Sequence, residues 1–316
     1  MRRTVPSFRT FLCTVVFISV IQFSFAQSIS TFDGRLELGA SVGPMIFLGD
    51  LGGNPGKGKA FVKDINWPVA KMSKGLYATF YPDEWFGFRL AFNHGQVEGA
   101  DSLVRDSGGE EIDRKIRNLH FRSNLIEGYG AIEVYPTVFY EKFDGLRGKF
   151  RPYALLGVGL FHFNPQGAYT AADGSTQWVD LQPLHLEGQG MEEYPDRQNY
   201  SLTQIEIPFG VGFKFYVGEN AYLGLEILHR KTFTDYIDDV STTYIDPALY
   251  DKYLQPQQAV IAYQMYNRGY GAMTRVTTDD IRGNKNHNDS FVSSSLKFGW
   301  RIGTAPEPRF TRCPRF

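Results

Sequence analysis

Between residues 202 and 217 the side chains change character at every step. Thr203, Ile205, Ile207, Phe209, Val211, Phe213, Phe215 and Val217 fall on one side. Leu202, Gln204, Glu206, Pro208, Gly210, Gly212, Lys214 and Tyr216 fall on the other. Successive side chains of an extended strand point to opposite faces, so a period of two makes a strand with one apolar face and one polar or small face. Seven further stretches follow the same period, at 35–47, 73–81, 85–93, 118–135, 151–163, 221–230 and 290–302. In the third, Phe86, Phe88, Leu90 and Phe92 share a face; in the last, Val292, Ser294, Leu296, Phe298, Trp300 and Ile302 do. Within 118–135 the apolar set changes phase at Leu125-Ile126, which predicts a β-bulge there. A tilted strand of about 9–11 residues is long enough to cross a bilayer.

Composition agrees with an all-β chain. Of 316 residues 15% are aromatic and 33 are glycine, with little sustained helical periodicity. The mean hydropathy of −0.28 excludes a polytopic helical membrane protein. A net charge of −1 leaves no global basic field to hold nucleic acid.

The one long apolar run lies at the start. Arg2, Arg3 and Arg9 lead into residues 11–25, which close on Ser24-Phe25-Ala26. A basic start, a short apolar centre and a small-x-small end predict a secretory signal peptide over residues 1–26. Cys13 is no lipoprotein cysteine, because Leu12 precedes it where a small residue is needed. Removing 1–26 takes away the sole candidate for a transmembrane helix, so any membrane residence must be through strands. It also leaves Cys313 as the only thiol, and the fold cannot depend on an internal disulfide.

The connections alternate in length. Those at 48–72, 94–117, 164–201 and 231–289 are long, those at 82–84 and 218–220 are short, and 136–150 is intermediate. Outer-membrane barrels carry long extracellular loops and short periplasmic turns. The expected fold is therefore an eight-stranded antiparallel transmembrane β-barrel over residues 27–303, with both termini periplasmic and a tail over 304–316. A secreted β-sandwich, or ten strands with two hidden in 231–289, are the alternatives. Residues 248–266 predict a short helix over the barrel mouth.

If the apolar faces meet lipid, the inward set includes Glu37, Arg89, Arg122, Glu127, Glu133, Glu206, Lys214, Glu226, Lys297 and Arg301. A barrel of eight strands is only wide enough for its interior to be filled by side chains. Acids and bases in equal number there should pair and plug the lumen; a charge-selective pore would need more width and one dominant sign.

The motifs that carry chemistry elsewhere are weak here. Residues 53–59, GNPGKGK, match a phosphate loop, but Ala60 stands where Ser or Thr should hold Mg²⁺, and Trp67-Pro68 soon interrupts any helix. The glycine pairs 157/159 and 210/212 lie inside strands, where they mark close packing. None of the six histidines is paired at metal-ligand spacing, so no zinc site is expected. His162 and His229, near strand ends, keep open a lipid-modifying barrel enzyme. Asp235, Asp238, Asp239 and Asp246 in 231–247 are oxygen donors of the kind Ca²⁺ uses, though at no EF-hand spacing; a solvated or loop-stabilising role is the simpler reading. The tail, TAPEPRFTRCPRF, has three prolines and no alternation, with Arg309, Arg312 and Arg315 around Cys313. A leftover cysteine in an oxidising compartment suggests either an intermolecular link or a free thiol in a plain basic tail.

The segments LELGASVGPMIFLGDLGGN (36–54), KIRNLHFRSNLIE (115–127), RPYALLGVGLFHFNP (151–165), KTFTDYIDDVSTTYIDP (231–247) and the terminal CPRF resemble the PorG-like outer-membrane barrels of Bacteroidetes. The acidic Tyr/Asp loop and the Cys-Pro-Arg-Phe ending are the most specific parts. The resemblance implies a non-enzymatic component of the type IX secretion apparatus, associated with a periplasmic ring built by a lipoprotein and its partner. It supplies a ring lipoprotein with a spare cysteine as the counterpart of Cys313, with Arg309, Arg312 and Arg315 steering the contact. The family has no assigned catalytic residues, so none carry over, and no cofactor is implied. A surface-binding or small-solute barrel unrelated to secretion is the alternative, with outer-membrane lipids as the surrounding medium in each case.

Overall fold

The computed structural model describes residues 36–51, 69–103, 115–141, 145–269 and 276–302. The signal segment 1–26, the glycine-rich 53–59 and the tail with Arg309, Arg312, Cys313 and Arg315 lie outside the described residues.

Among the described residues nine strands form one antiparallel sheet: β1 (Leu36–Leu48), β2 (Lys71–Asp83), β3 (Phe86–Ala100), β4 (His120–Val134), β5 (Phe150–Thr170), β6 (Thr176–Asp180), β7 (Thr203–Tyr216), β8 (Ala221–Thr232) and β9 (Ser290–Ile302). The order runs β4-β3-β2-β1-β9-β8-β7-β5, and β4 also pairs with β5, which closes the sheet into an eight-stranded barrel. The β6 strand stands apart from the wall. It pairs only with Gln166–Thr170, where β5 runs on beyond the barrel as a hairpin. All eight predicted strands are present, each within a few residues at the start and longer at several ends.

The wall has the two faces that alternation demands. Leu76, Phe88, Leu90, Phe92, Leu156, Val158, Val211, Leu296 and Trp300 point outward, with Leu90 71% exposed. A continuous apolar exterior on a closed barrel is what a bilayer solvates, since closure leaves no unpaired backbone at an edge. On β3 the outward set turns polar after Phe92, at His94, Gln96 and Glu98, and on β5 after Leu160, at His162. Among the described residues no helix is long and apolar enough to cross a membrane.

The expected bulge at Leu125-Ile126 is absent. The β4 strand holds unbroken register with β3 from Ala100↔His120 to Phe86↔Val134, and with β5 on its other side. The strand does not change phase; the lumen changes chemistry. Phe121 and Leu125 point inward with Glu127 and Glu133 below them, because the lumen is apolar at the long-loop end and charged at mid-depth.

The long connections form a folded cap. Among the described residues of 233–289 there are two helices and no additional pair of named strands: α1 (Leu249–Tyr253) and α2 (Pro256–Tyr266). Pro256 opens α2, where its missing N–H costs nothing. Ala259, Ala262, Met265 and Tyr266 make its buried stripe. The cap core is continuous with the apolar top of the barrel, joining Met45, Phe121 and Phe291 to Leu186, Ile237 and Tyr250.

Candidate functional site

The lumen is the first candidate. Of the ten residues expected inside, Glu37, Arg89, Glu127, Glu133, Glu206, Lys214, Glu226, Lys297 and Arg301 are buried there, none more than 5% exposed. Arg122 is not among them. It points outward from β4, stacks over Trp178 of β6 at 3.9 Å and donates to Gln166 at 3.1 Å. Its assignment inward followed from the supposed phase change, and unbroken register puts it on the same side as Ile126 and Ile132.

The buried charges cross the barrel. Arg89 on β3 lies between Glu133 on β4 and Glu226 on β8, at 2.5 Å from the latter. Lys214 on β7 donates to Glu37 on β1 at 2.5 Å and reaches Glu133 at 3.4 Å. Lys297 meets Glu226 at 3.0 Å. Higher up, Arg230 on β8 spans to Glu127 on β4 at 2.5 Å, and Asn93 donates to the same carboxylate at 2.6 Å. Strands β3 and β8 stand on opposite walls, so these bonds close the lumen. Glu206 is buried beside Glu127 and Arg230.

Arg230 and Arg151 belong to this network and were missed from the sequence, as was a layer of buried tyrosines. Tyr77, Tyr81, Tyr135, Tyr153, Tyr216 and Tyr222 ring the charges. Tyr153 donates to Glu226 at 2.6 Å and Tyr222 to Glu37 at 2.7 Å. Glycines opposite them are the signal that could have shown this. A Cβ at Gly299 would come within 2.1 Å of the Tyr222 ring, and one at Gly212 within 2.6 Å of Tyr153. Below the tyrosines Arg151 and Arg301 share Glu84, with Arg151 also on Glu141. A groove of roughly 450 Å³ lies on the outer wall, between Phe88, Leu90, Ile132, Leu156 and Val158, and not in the lumen.

The cap is the second candidate. Glu187, fully buried, accepts from Ser241 N at 3.0 Å, Thr242 N at 2.9 Å and Arg282 at 2.8 Å. Arg117 grips Asp101 with two bonds of 2.8 and 2.9 Å and donates to the Asp50 carbonyl at 2.9 Å. Of the acids noted in 231–247, Asp238 and Asp239 are fully buried and Asp235 nearly so. Asp246 is exposed and accepts from Ala248 N, away from them. Burial pushes the Asp235 carboxyl up to about 8 and that of Asp239 up to about 7. Asp238 and Asp289 are raised well above the ordinary range by burial and by neighbouring carboxylates. A folded-state pKa above the unfolded value contributes stability at low pH and loses it as pH rises through the folded value. In metal-free buffer the cap should therefore loosen between about pH 5 and pH 8, by about 1–3 kcal/mol. Hydrogen exchange over 233–247, corrected for its intrinsic pH dependence, measures this; equal protection at both ends would contradict it.

His162 lies on the outer face with Thr203 Oγ1 at 3.0 Å, and His229 packs against Phe209 in a tilted arrangement with ring centroids 4.9 Å apart. Among the described residues no group of three His, Cys, Asp or Glu side chains stands in metal-ligand geometry.

No family model matches the chain, and a search of curated proteins returned no match. Solved structures do align with it. Ail, the attachment invasion locus protein of Yersinia pestis, covers 85% of this chain and 99% of its own at 8% identity, with a TM-score of 0.36. The outer membrane protein OprG from Pseudomonas aeruginosa covers 88% and 100% at 13% identity, with a TM-score of 0.34. The N-terminal β-barrel domain of Pseudomonas aeruginosa OprF covers 84% and 97% at 8% identity, with a TM-score of 0.27.

Proposed function

We propose that this protein is a non-enzymatic outer-membrane barrel that anchors a protein assembly, and that the assembly is the type IX secretion apparatus. The observation that carries the anchoring role is the closed lumen: opposite walls are tied by buried ion pairs, which leaves no route for a solute. The secretion assignment is supported by the resemblance of residues 36–54, 115–127, 151–165, 231–247 and the CPRF ending to PorG-like barrels. In this reading the cap is extracellular, both termini are periplasmic, and the 304–316 tail meets a ring lipoprotein through Arg309, Arg312, Cys313 and Arg315.

Orientation is tested with epitopes. One inserted at Gly174, the open tip of the β5–β6 hairpin, should be stained on intact cells, and one after Phe316 only after permeabilisation. The reverse pattern would remove the case for a periplasmic partner. The contact is tested by non-reducing electrophoresis of native membranes. A heavier band that both reductant and Cys313→Ser abolish supports the link; a monomer in every lane, with normal secretion by the mutant, overturns it. Affinity purification of the tagged protein from native membranes then identifies what it holds.

A further inference from the structure

The apolar belt has a notch on β4. Below Ile126 the outward positions of that strand are Gly128 and Gly130, and Gly130 floors the groove of roughly 450 Å³ walled by Phe88 and Leu90 on β3 and by Leu156 and Val158 on β5. Gly212 and Gly299 make room for tyrosine rings, but no neighbour requires glycine at these two places. An added Cβ would meet nothing closer than 3.9 Å at Gly128 and 3.7 Å at Gly130, and neither has a left-handed backbone. Glycine within a strand weakens it, and often marks a close approach by something else. What these two positions supply is space on the membrane side.

Above the notch, the same strand carries positive charge without a counter-ion. Arg122 is half-buried, held by Gln166 and by the face of Trp178, which also meets the edge of His120 at 4.9 Å between ring centroids. Arg268 reaches the same place from the cap. It donates to the Ala168 carbonyl at 3.0 Å and has His120 Nδ1 at 3.5 Å. Among the described residues neither guanidinium makes an ion pair. The acids nearby are engaged: Glu98, opposite Arg122 across β3 and β4, takes Lys71 at 2.6 Å, and Asp180 takes Asn164 at 2.9 Å and Gln166 at 2.8 Å. Between the guanidiniums and the belt runs the cross-strand row Lys74, His94, Ile126 and His162, outward-facing and without an acid.

We propose that the β3–β5 sector of the wall holds one phosphate-bearing lipid of the leaflet on the cap side, with an acyl chain in the groove and a headgroup phosphate between Arg122 and Arg268. The heights agree. The eight residues from Arg122 to Gly130 cover about 21 Å along the membrane normal, at about 3.4 Å per residue and a tilt of about 40°. One leaflet with its headgroups is about 20–22 Å deep. A groove at the bilayer centre therefore puts both guanidiniums at headgroup level. The planar guanidinium fork matches phosphate oxygens, and two such forks without a carboxylate of their own favour an anion. The site rests on residence in the outer membrane and holds whether or not the protein serves secretion.

The test uses the full mature chain refolded into dodecyl maltoside free of lipid and titrated with lipid A, read by native mass spectrometry. One lipid A per barrel is expected at saturation. The double variant Arg122→Gln/Arg268→Gln should bind about tenfold more weakly or worse, since each basic residue at a membrane surface contributes a comparable share. Gly130→Phe, which fills the groove from a position with room for a side chain, should also weaken binding. Both should keep the heat-modifiable barrel band. Dephosphorylated lipid A should bind the wild type poorly, and inorganic phosphate should not displace lipid A. No lipid adduct on the wild type overturns the proposal, as does undiminished binding to either variant. Displacement by inorganic phosphate would make the site one for a free anion and overturns the lipid. Where a variant does not fold, the wild type decides: equal binding of phosphorylated and dephosphorylated lipid A overturns the site, and preference for the phosphorylated form supports it.

Discussion

Glu226→Gln should destabilise the barrel by about 3–5 kcal/mol, the usual cost of removing one partner of a buried ion pair. Glu226 is the acid that holds both Arg89 and Lys297 and takes the Tyr153 hydroxyl. Without it Arg89 keeps Glu133, but Lys297 has no other acid within ion-pair distance among the described residues. A charge buried at 1% exposure is then left uncompensated. Lys297→Met in the same chain should recover part of the loss, because a buried pair replaced as a whole by apolar volume is often neutral. Urea titration of the heat-modifiable band measures both. If Glu226→Gln alone unfolds at the wild-type urea concentration, the lumen network is not what ties the walls together.

Phe88→Arg should cost about 2–4 kcal/mol, the range for a guanidinium at the lipid-facing midplane of a barrel. Phe88 sits in the outward row Phe86, Phe88, Leu90 and Phe92, and is 49% exposed on the wall. His94→Arg on the same strand and face, where the row turns polar, should cost about 0–1 kcal/mol, because the penalty falls off toward the interface. The pair is best compared by refolding into lipid vesicles. Equal tolerance at 88 and 94 would mean that the apolar belt does not meet hydrocarbon.

The two substitutions probe the two faces of one alternation, and that alternation is the part of the protein most open to reading from residues alone. A period of two needs no tertiary knowledge: Phe209, Val211 and Phe213 against Pro208, Gly210 and Gly212 define a strand and its sides wherever it ends up. Even strand number and the rhythm of long and short connections then lead to closure. The inward placement of Glu37, Glu133, Lys214 and Lys297 follows from the same count.

Arg122 shows where such reading fails. Its strand carries Phe121 and Leu125 inward above Glu127 and Glu133. A rule that sends apolar residues to lipid reverses there, because the upper lumen is filled by the cap and is itself a hydrophobic core. Only register with β3 and β5 separates a phase change from a change of surroundings. Arg230 was missed for a related reason: it follows His229 near a strand end, where neither face had a clear pattern.

From sequence alone come the eight strands, their two faces, the unequal ends of the barrel and a helix within 248–266, since each depends on spacing along one chain. Tertiary structure alone decides which charge meets which, that tyrosines of β2, β5 and β8 settle against glycines in neighbouring strands, and that Asp50 accepts from Asn284 N, 234 residues away in sequence. Those outcomes depend on distances between segments. Local periodicity is blind to them, because the closure of the barrel and not the order of residues sets which loops share a mouth.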